Sequence, residues 1–251
     1  MGVKMGGNVR IFIEQIKNPV ELIEGCRKFH EIEPRDIAYI VPNEFVLKNP
    51  NNPYYILAGI KIIIITWNAV RFQRLNKELK GKLESEILRS YEESKDMLDE
   101  IKNEKLETLN LNDKNVAAII KTCFKVFSDK KSIGITGAAK ALHLINPEVF
   151  MMWDDKIKKA YHTIHPSYRK RKEPIEECYL EFMKISQEIA KNVLEKVNYE
   201  ELWKNHLSFL DKNFVDAFSF RETITKMIDE CNFVKFTKKI NFKANIPFKG
   251  T

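Results

Sequence analysis

The stretch from Val116 to Ile157 decides the fold: VAAIIKTCFKVFSDKKSIGITGAAKALHLINPEVFMMWDDKI. Its first part places Val116, Ile119, Ile120, Cys123, Phe124 and Phe127 at i, i+3, i+4, i+7, i+8 and i+11. That spacing puts six apolar side chains on one face and predicts a core helix. Ser132 to Thr136, with Gly134 inside, breaks the pattern. Thr136 can cap a short helix, Gly137 to Ile145, which Asn146-Pro147 ends, because the residue before a proline is pushed out of the helical region. After the apolar link to Trp153, Asp154 is placed to cap another helix running from Asp155 to about His162.

The same reading extends in both directions. Glu173-Pro174 opens a helix whose core face is Ile175, Cys178, Tyr179, Phe182, Ile185, Ile189 and Val193. Helices are expected near Tyr199 to Leu210 and Val215 to Cys231, followed by a tail of aromatics set between lysines. Towards the N-terminus, Asn18-Pro19 opens a helix to about Phe29, and Ile37 to Val41 reads as a short strand or a helical turn. Asn49 to Pro53 is a loop, and Tyr54 to Asn76 a buried helix. The four isoleucines 62 to 65 favour a strand locally, but the length of the segment without a turn signal favours the helix. Lys77 to Glu107, rich in both charge signs, is a long amphipathic helix with a possible break near Gly81. Asn112 is the expected cap of the helix that follows. The fold class is therefore all-α. One globular unit is expected, with room for two helical subdomains, about 1–110 and 111–232, and a basic extended tail over 233–251.

With 251 residues, 44% hydrophobic and 31% charged, the chain has material for a large core, and wholesale disorder is excluded. The net charge is +7, and it is unevenly placed. Lys156 to Lys172 holds seven Lys/Arg and no acid, and Cys231 to Thr251 holds five Lys and no acid. Such segments suit a polyanion, nucleic acid first. The four cysteines form no CxxC pair, and His162 with His165 lacks a third ligand, so no metal and no cofactor are expected. Residues 1 to 8 contain no apolar signal core, and Ile56 to Val70 is too short and too polar to span a bilayer. The expectation is a cytoplasmic protein without a membrane partner.

From Gly134 to Ile157, a Gly-containing turn, a short helix, a Pro-containing link and an Asp opening a new helix follow in order. In this order the segment resembles the helix-hairpin-helix DNA glycosylase superfamily, over roughly forty residues. That family grips a phosphate with a hairpin of the form Leu-Pro-Gly-Val-Gly-x-Lys and carries an essential Asp in a Val-Asp-x-x-Val/Ile setting. Here Trp153-Asp154-Asp155-Lys156-Ile157 matches best. The hairpin is Gly-x-x-Gly rather than Gly-x-Gly, and Lys140 lies 14 residues before Asp154, a shorter interval than the family has.

The resemblance implies a DNA N-glycosylase, with AP-lyase activity if Lys140 acts as the nucleophile. Asp154 would stabilise positive charge on the departing sugar, and Lys140 would attack C1′. Gly134, Thr136, Gly137 and Ala138 would hold a phosphate through backbone N–H groups. Lys158, Lys159, Arg169, Lys170 and Arg171 would bind flanking phosphates, and Trp153, Tyr161 and His143 are candidates for base contact. The residues also admit plainer readings. Asp154 serves as an N-cap, Lys140 as a solvated lysine and His143 as an interior histidine. Trp67, Asn68, Arg71 and Gln73 are read as hydrogen-bonding inside the fold. The alternative function is a helical nucleic-acid-binding protein without catalysis.

Overall fold

The structure, a computed structural model, describes residues 2–34, 37–164, 174–210, 216 and 221–244. It is all-α, with twelve α-helices and no strand among the described residues. The helices are α1 (Gly2–Ile16), α2 (Pro19–Ile32), α3 (Ile37–Lys48), α4 (Pro53–Trp67), α5 (Ala69–Arg74) and α6 (Lys77–Glu100), followed by α7 (Lys114–Ser128), α8 (Gly134–Ile145), α9 (Asp155–Tyr161), α10 (Ile175–Leu194), α11 (Tyr199–Leu207) and α12 (Ile224–Asn232). No described helix is long and apolar enough to cross a membrane.

Local chemistry sets most of the boundaries. Asn18 and Asn52 each accept an N–H of the first turn, with Pro19 and Pro53 at positions that need no N–H donor. Asp113, not Asn112, caps α7, taking the N–H groups of Asn115 and Val116. Ile37 to Val41 is helical, and α3 continues through Pro42. The isoleucine run 62–65 is helical as well: burial of Ile56, Ile60, Ile63 and Ile64 on one face outweighs the β preference of its residues. That helix stops at Trp67, and Asn68 separates it from α5. Helix α6 runs unbroken through Gly81, where the surface is open, and ends at Glu100. Of the helix expected over Val215 to Cys231, residues 215 and 217–220 lie outside the described residues, and the described part is α12, which starts at Ile224 with Thr223 accepting the Lys226 N–H.

Two groups of helices enclose one core. Helix α7 packs on α6, α8 and α10, while α4 packs on α3, α6 and α8. The N-terminal pair α1 and α2 crosses to the other end of the chain, with α2 against α11 and α12 and α1 against α9 and α10. The division expected near residue 110 therefore does not separate the packing, and a single hydrophobic cluster runs from Val9 to Cys231. The tail also departs from a plain arm. Phe233–Thr237 continues α12 as a π-helix, and Phe236 and Phe242 lie edge-on to Phe12.

Gly59 and Gly134 show why glycine is needed at particular points of the fold. A Cβ at Gly59 would lie 2.7 Å from Val46 Cγ2 and 3.0 Å from the Pro42 carbonyl oxygen, so only glycine lets α4 meet α3 at that crossing. Gly134 has φ +67°, the left-handed region, and opens α8 directly after the turn. The four cysteines are free and buried.

Candidate functional site

The helical hairpin is formed by α7 and α8, but its turn is filled by the protein itself. Arg71 of α5 donates from Nη2 to the Lys131 carbonyl at 2.7 Å and from Nε to the Ile133 carbonyl at 3.2 Å. Its guanidinium lies where a Gly134 side chain would be, with Nη2 2.3 Å from the ideal Cβ position. Glu86 of α6 accepts from the Ser132 N–H and hydroxyl. Helix α8 starts at Gly134, so Thr136 lies inside its first turn and does not cap it. A Gly137 Cβ would meet Ile133 Cγ2 at 3.0 Å, and Ala138 is fully buried. The small residues expected to admit a phosphate, Gly134, Gly137 and Ala138, thus admit Arg71 and the core.

The three expected base contacts are interior as well. Trp153 is stacked on Phe182 with centroids 5.7 Å apart. The Tyr161 hydroxyl donates to Asn232 Oδ1 at 2.8 Å. His143 is fully buried, with Nδ1 2.7 Å from the Phe150 carbonyl and Nε2 2.8 Å from the Tyr39 hydroxyl. Because a carbonyl only accepts, Nδ1 carries the hydrogen and Nε2 accepts from Tyr39. Burial lowers the His143 pKa to about 4, against a modest opposing pull from the Phe150 bond. Of the basic residues, Lys159 is exposed, Lys158 is half-buried and 2.9 Å from Asp155, and Arg169, Lys170 and Arg171 lie outside the described residues.

Lys140 and Asp154, by contrast, line one groove of about 450 Å³. Its walls also carry Trp67, Asn68, Thr136, Asp229 and Thr237, with exposed Lys156 and Lys238 beside them. Helix α8 supplies Lys140, whose ammonium donates to the Trp67 carbonyl at 2.6 Å and lies 5.8 Å from the indole centroid. The last carbonyls of a helix lack intrahelical partners, and Lys140 takes one at the end of α4. Asp154 is fixed at both oxygens. Oδ1 accepts the N–H groups of Lys156 and Ile157 at 2.7 and 2.8 Å, and Oδ2 accepts the Thr237 hydroxyl at 2.7 Å. Asp154 thus caps the first turn of α9 and ties it to the segment after α12.

Asp229 completes the groove, and the sequence reading missed it. It sits on α12, a helix buried along its whole length. Burial raises the Asp229 pKa to about 7; Lys226 and Lys140 pull it down, while Asp154 and Glu230 push it up. Behind Trp67 the same helix carries a second charged group. Lys226, 1% exposed, lies 4.3 Å from the Phe29 ring centroid and 5.7 Å from that of Trp67. Around it stand Glu222, Glu230, His30 and His206, with His206 Nε2 2.6 Å from Glu222 Oε2. Burial opposes charge on His206, yet Glu222, Cys26 and Glu230 outweigh it and hold its pKa well above the ordinary value. An isolated buried charge costs several kcal/mol, so five such residues in one place require each other. Their positions, 30, 206, 222, 226 and 230, share no local motif; only the i,i+4 step from Glu222 through Lys226 to Glu230 could have marked one face.

No family model, no curated protein and no solved structure matches this chain.

Proposed function

We propose that this groove accepts an extruded nucleobase and that the protein is a DNA glycosylase-like enzyme that cleaves the N-glycosidic bond. The observation that carries the reading is that Lys140 and Asp154, singled out by sequence order alone, line one opening beside exposed lysines. In this chemistry the C1′–N bond breaks with its electron pair leaving on the base. The sugar becomes cationic, and a water oxygen then bonds to C1′ and releases a proton. Asp154, anchored by the α9 N-terminus and Thr237, supplies fixed negative charge beside the cation. Trp67 offers an aromatic wall for the base, the role the sequence reading gave to Trp153 and Tyr161. Lyase activity asks more of Lys140. It must release its proton and leave the Trp67 carbonyl, and its amine then adds to the C1′ aldehyde of the abasic sugar. Water departs as the imine forms.

A second reading, nucleic-acid binding without catalysis, is favoured by one specific observation: Lys140 Nζ and both oxygens of Asp154 already hold internal hydrogen bonds. Duplexes carrying a panel of damaged bases separate the two readings. The enzyme reading expects base release by the wild type. It expects roughly 10²–10³-fold slower release by Asp154→Asn, which keeps a capping side chain. A borohydride-trapped adduct that vanishes in Lys140→Gln adds the lyase step. Binding of every duplex without release of any base supports the binding protein, and folded wild type that neither binds nor cleaves overturns both.

A further inference from the structure

We infer that His30, His206, Glu222 and Glu230 form a closed binding site for one divalent transition-metal ion of the zinc type. The argument starts from four ligand atoms, one per residue, all within 4.8 Å of one another. Two imidazole nitrogens with two carboxylate oxygens are a donor set that suits Zn²⁺ and its first-row neighbours, not Mg²⁺ or Ca²⁺. In a tetrahedral site with bonds of about 2.0–2.2 Å, ligand atoms stand about 3.4 Å apart. Here the separations are 3.6 Å for His206 Nε2 to Glu230 Oε2 and 4.0 Å for His30 Nε2 to Glu222 Oε2, and His30 Nε2 also lies 3.4 Å from Glu230 Oε1, the oxygen that Lys226 holds. His206 Nε2 and Glu222 Oε2 are closer, at 2.6 Å, and an ion between them would part them.

The directions of these groups are the second observation. His206 Nε2, Glu222 Oε2 and Glu230 Oε2 are buried and in contact range, yet among the described residues none reaches hydrogen-bond geometry with another. Side chains that existed only to satisfy one another would turn an N–H onto an oxygen. Lys226 does not occupy these faces. It takes the opposite oxygens, Glu230 Oε1 at 2.7 Å and Glu222 Oε1 at 3.8 Å. The surroundings are charged on both sides: the buried carboxylates of Glu222 and Glu230 face the Lys226 ammonium, while Asp229 lines the groove with Lys140. Glu222, Glu230 and His206 are at most 2% exposed at their side chains and His30 10%, so the site is shut, as structural sites are. Its ligands would tie α2 to α11, to the segment before α12 and to α12, closing the two ends of the chain on each other.

The experiment uses the full chain after chelator treatment, with Co²⁺ as the probe and a readout independent of any glycosylase activity. The expected result is one Co²⁺ per chain with the intense visible d–d bands of tetrahedral coordination, displaced by Zn²⁺, and a melting temperature raised by several degrees. His206→Gln and Glu230→Gln should each abolish the bands. If either variant fails to fold, Lys226→Met decides. Removing the ammonium should leave Co²⁺ binding intact, and the metal should restore the variant's melting temperature. A self-contained ion cluster predicts that no cation rescues it. Folded wild type that takes up no stoichiometric Co²⁺ or Zn²⁺, or bands that survive both ligand substitutions, overturns the site.

Discussion

At the scale of single residues, each side chain singled out in the sequence was a choice between a solvent-facing and an interior role. Asp154 occupies both, capping α9 while lining the groove. His143 took the interior role, and its consequence is measurable. Its folded pKa of about 4 lies below the ordinary value of 6.5, so the unfolded chain binds a proton that the native chain refuses. The His143 contribution is therefore complete above pH 6.5 and is lost as pH falls towards 4, by about 3 kcal/mol at the lower end. Urea denaturation of wild type and His143→Gln across that window should show the difference, with the variant lacking this part of the acid sensitivity. The interior place of His143 agrees with the plainer reading of the sequence; its partners were not legible, because a histidine on a short helix reads the same whether its neighbour is water or the Tyr39 hydroxyl.

At the scale of elements, the hairpin is held by groups from outside it. Arg71 and Glu86 supply donors and acceptors to the turn, and Gly134 provides both the positive φ and the space for the guanidinium. Gly134→Ala should cost about 1–3 kcal/mol of unfolding free energy, by backbone strain and displacement of Arg71, measured by denaturant titration. Arg71→Ala should lower stability too and should not rescue Gly134→Ala, since φ stays unfavourable. The periodicity of Val116 to Phe127 announced α7 because a six-residue apolar stripe has few other uses. The start of α8 was misplaced by three residues. Thr136 looked like a cap, but a left-handed glycine can open a helix without one when an arginine from another helix holds the preceding carbonyls.

At the scale of the whole molecule, the positive charge makes a salt-dependence prediction. If exposed Lys156 and Lys159 contact phosphates, affinity for duplex DNA should fall steeply with salt. Each lysine replaced by Gln should then reduce the log–log slope by about 1, uniformly across sequences. Fluorescence anisotropy at several salt concentrations checks this, and salt-insensitive binding would assign the charge to solubility.

By itself, the sequence determined the all-α class, the identity and approximate extent of most helices, and the place of Lys140 and Asp154 in the order of elements. Those properties follow from spacing along a few turns, where each residue's neighbours are its own chain neighbours. Only the tertiary structure decided that Lys140 and Asp154 share an opening, that Trp67 lines it in place of Trp153, and that Asp229 joins them from α12. It alone brought His30 to His206, Glu222 and Glu230. The physical reason is that a buried charge is tolerated only beside partners that long-range packing delivers, and no local pattern records which distant helix will bring them.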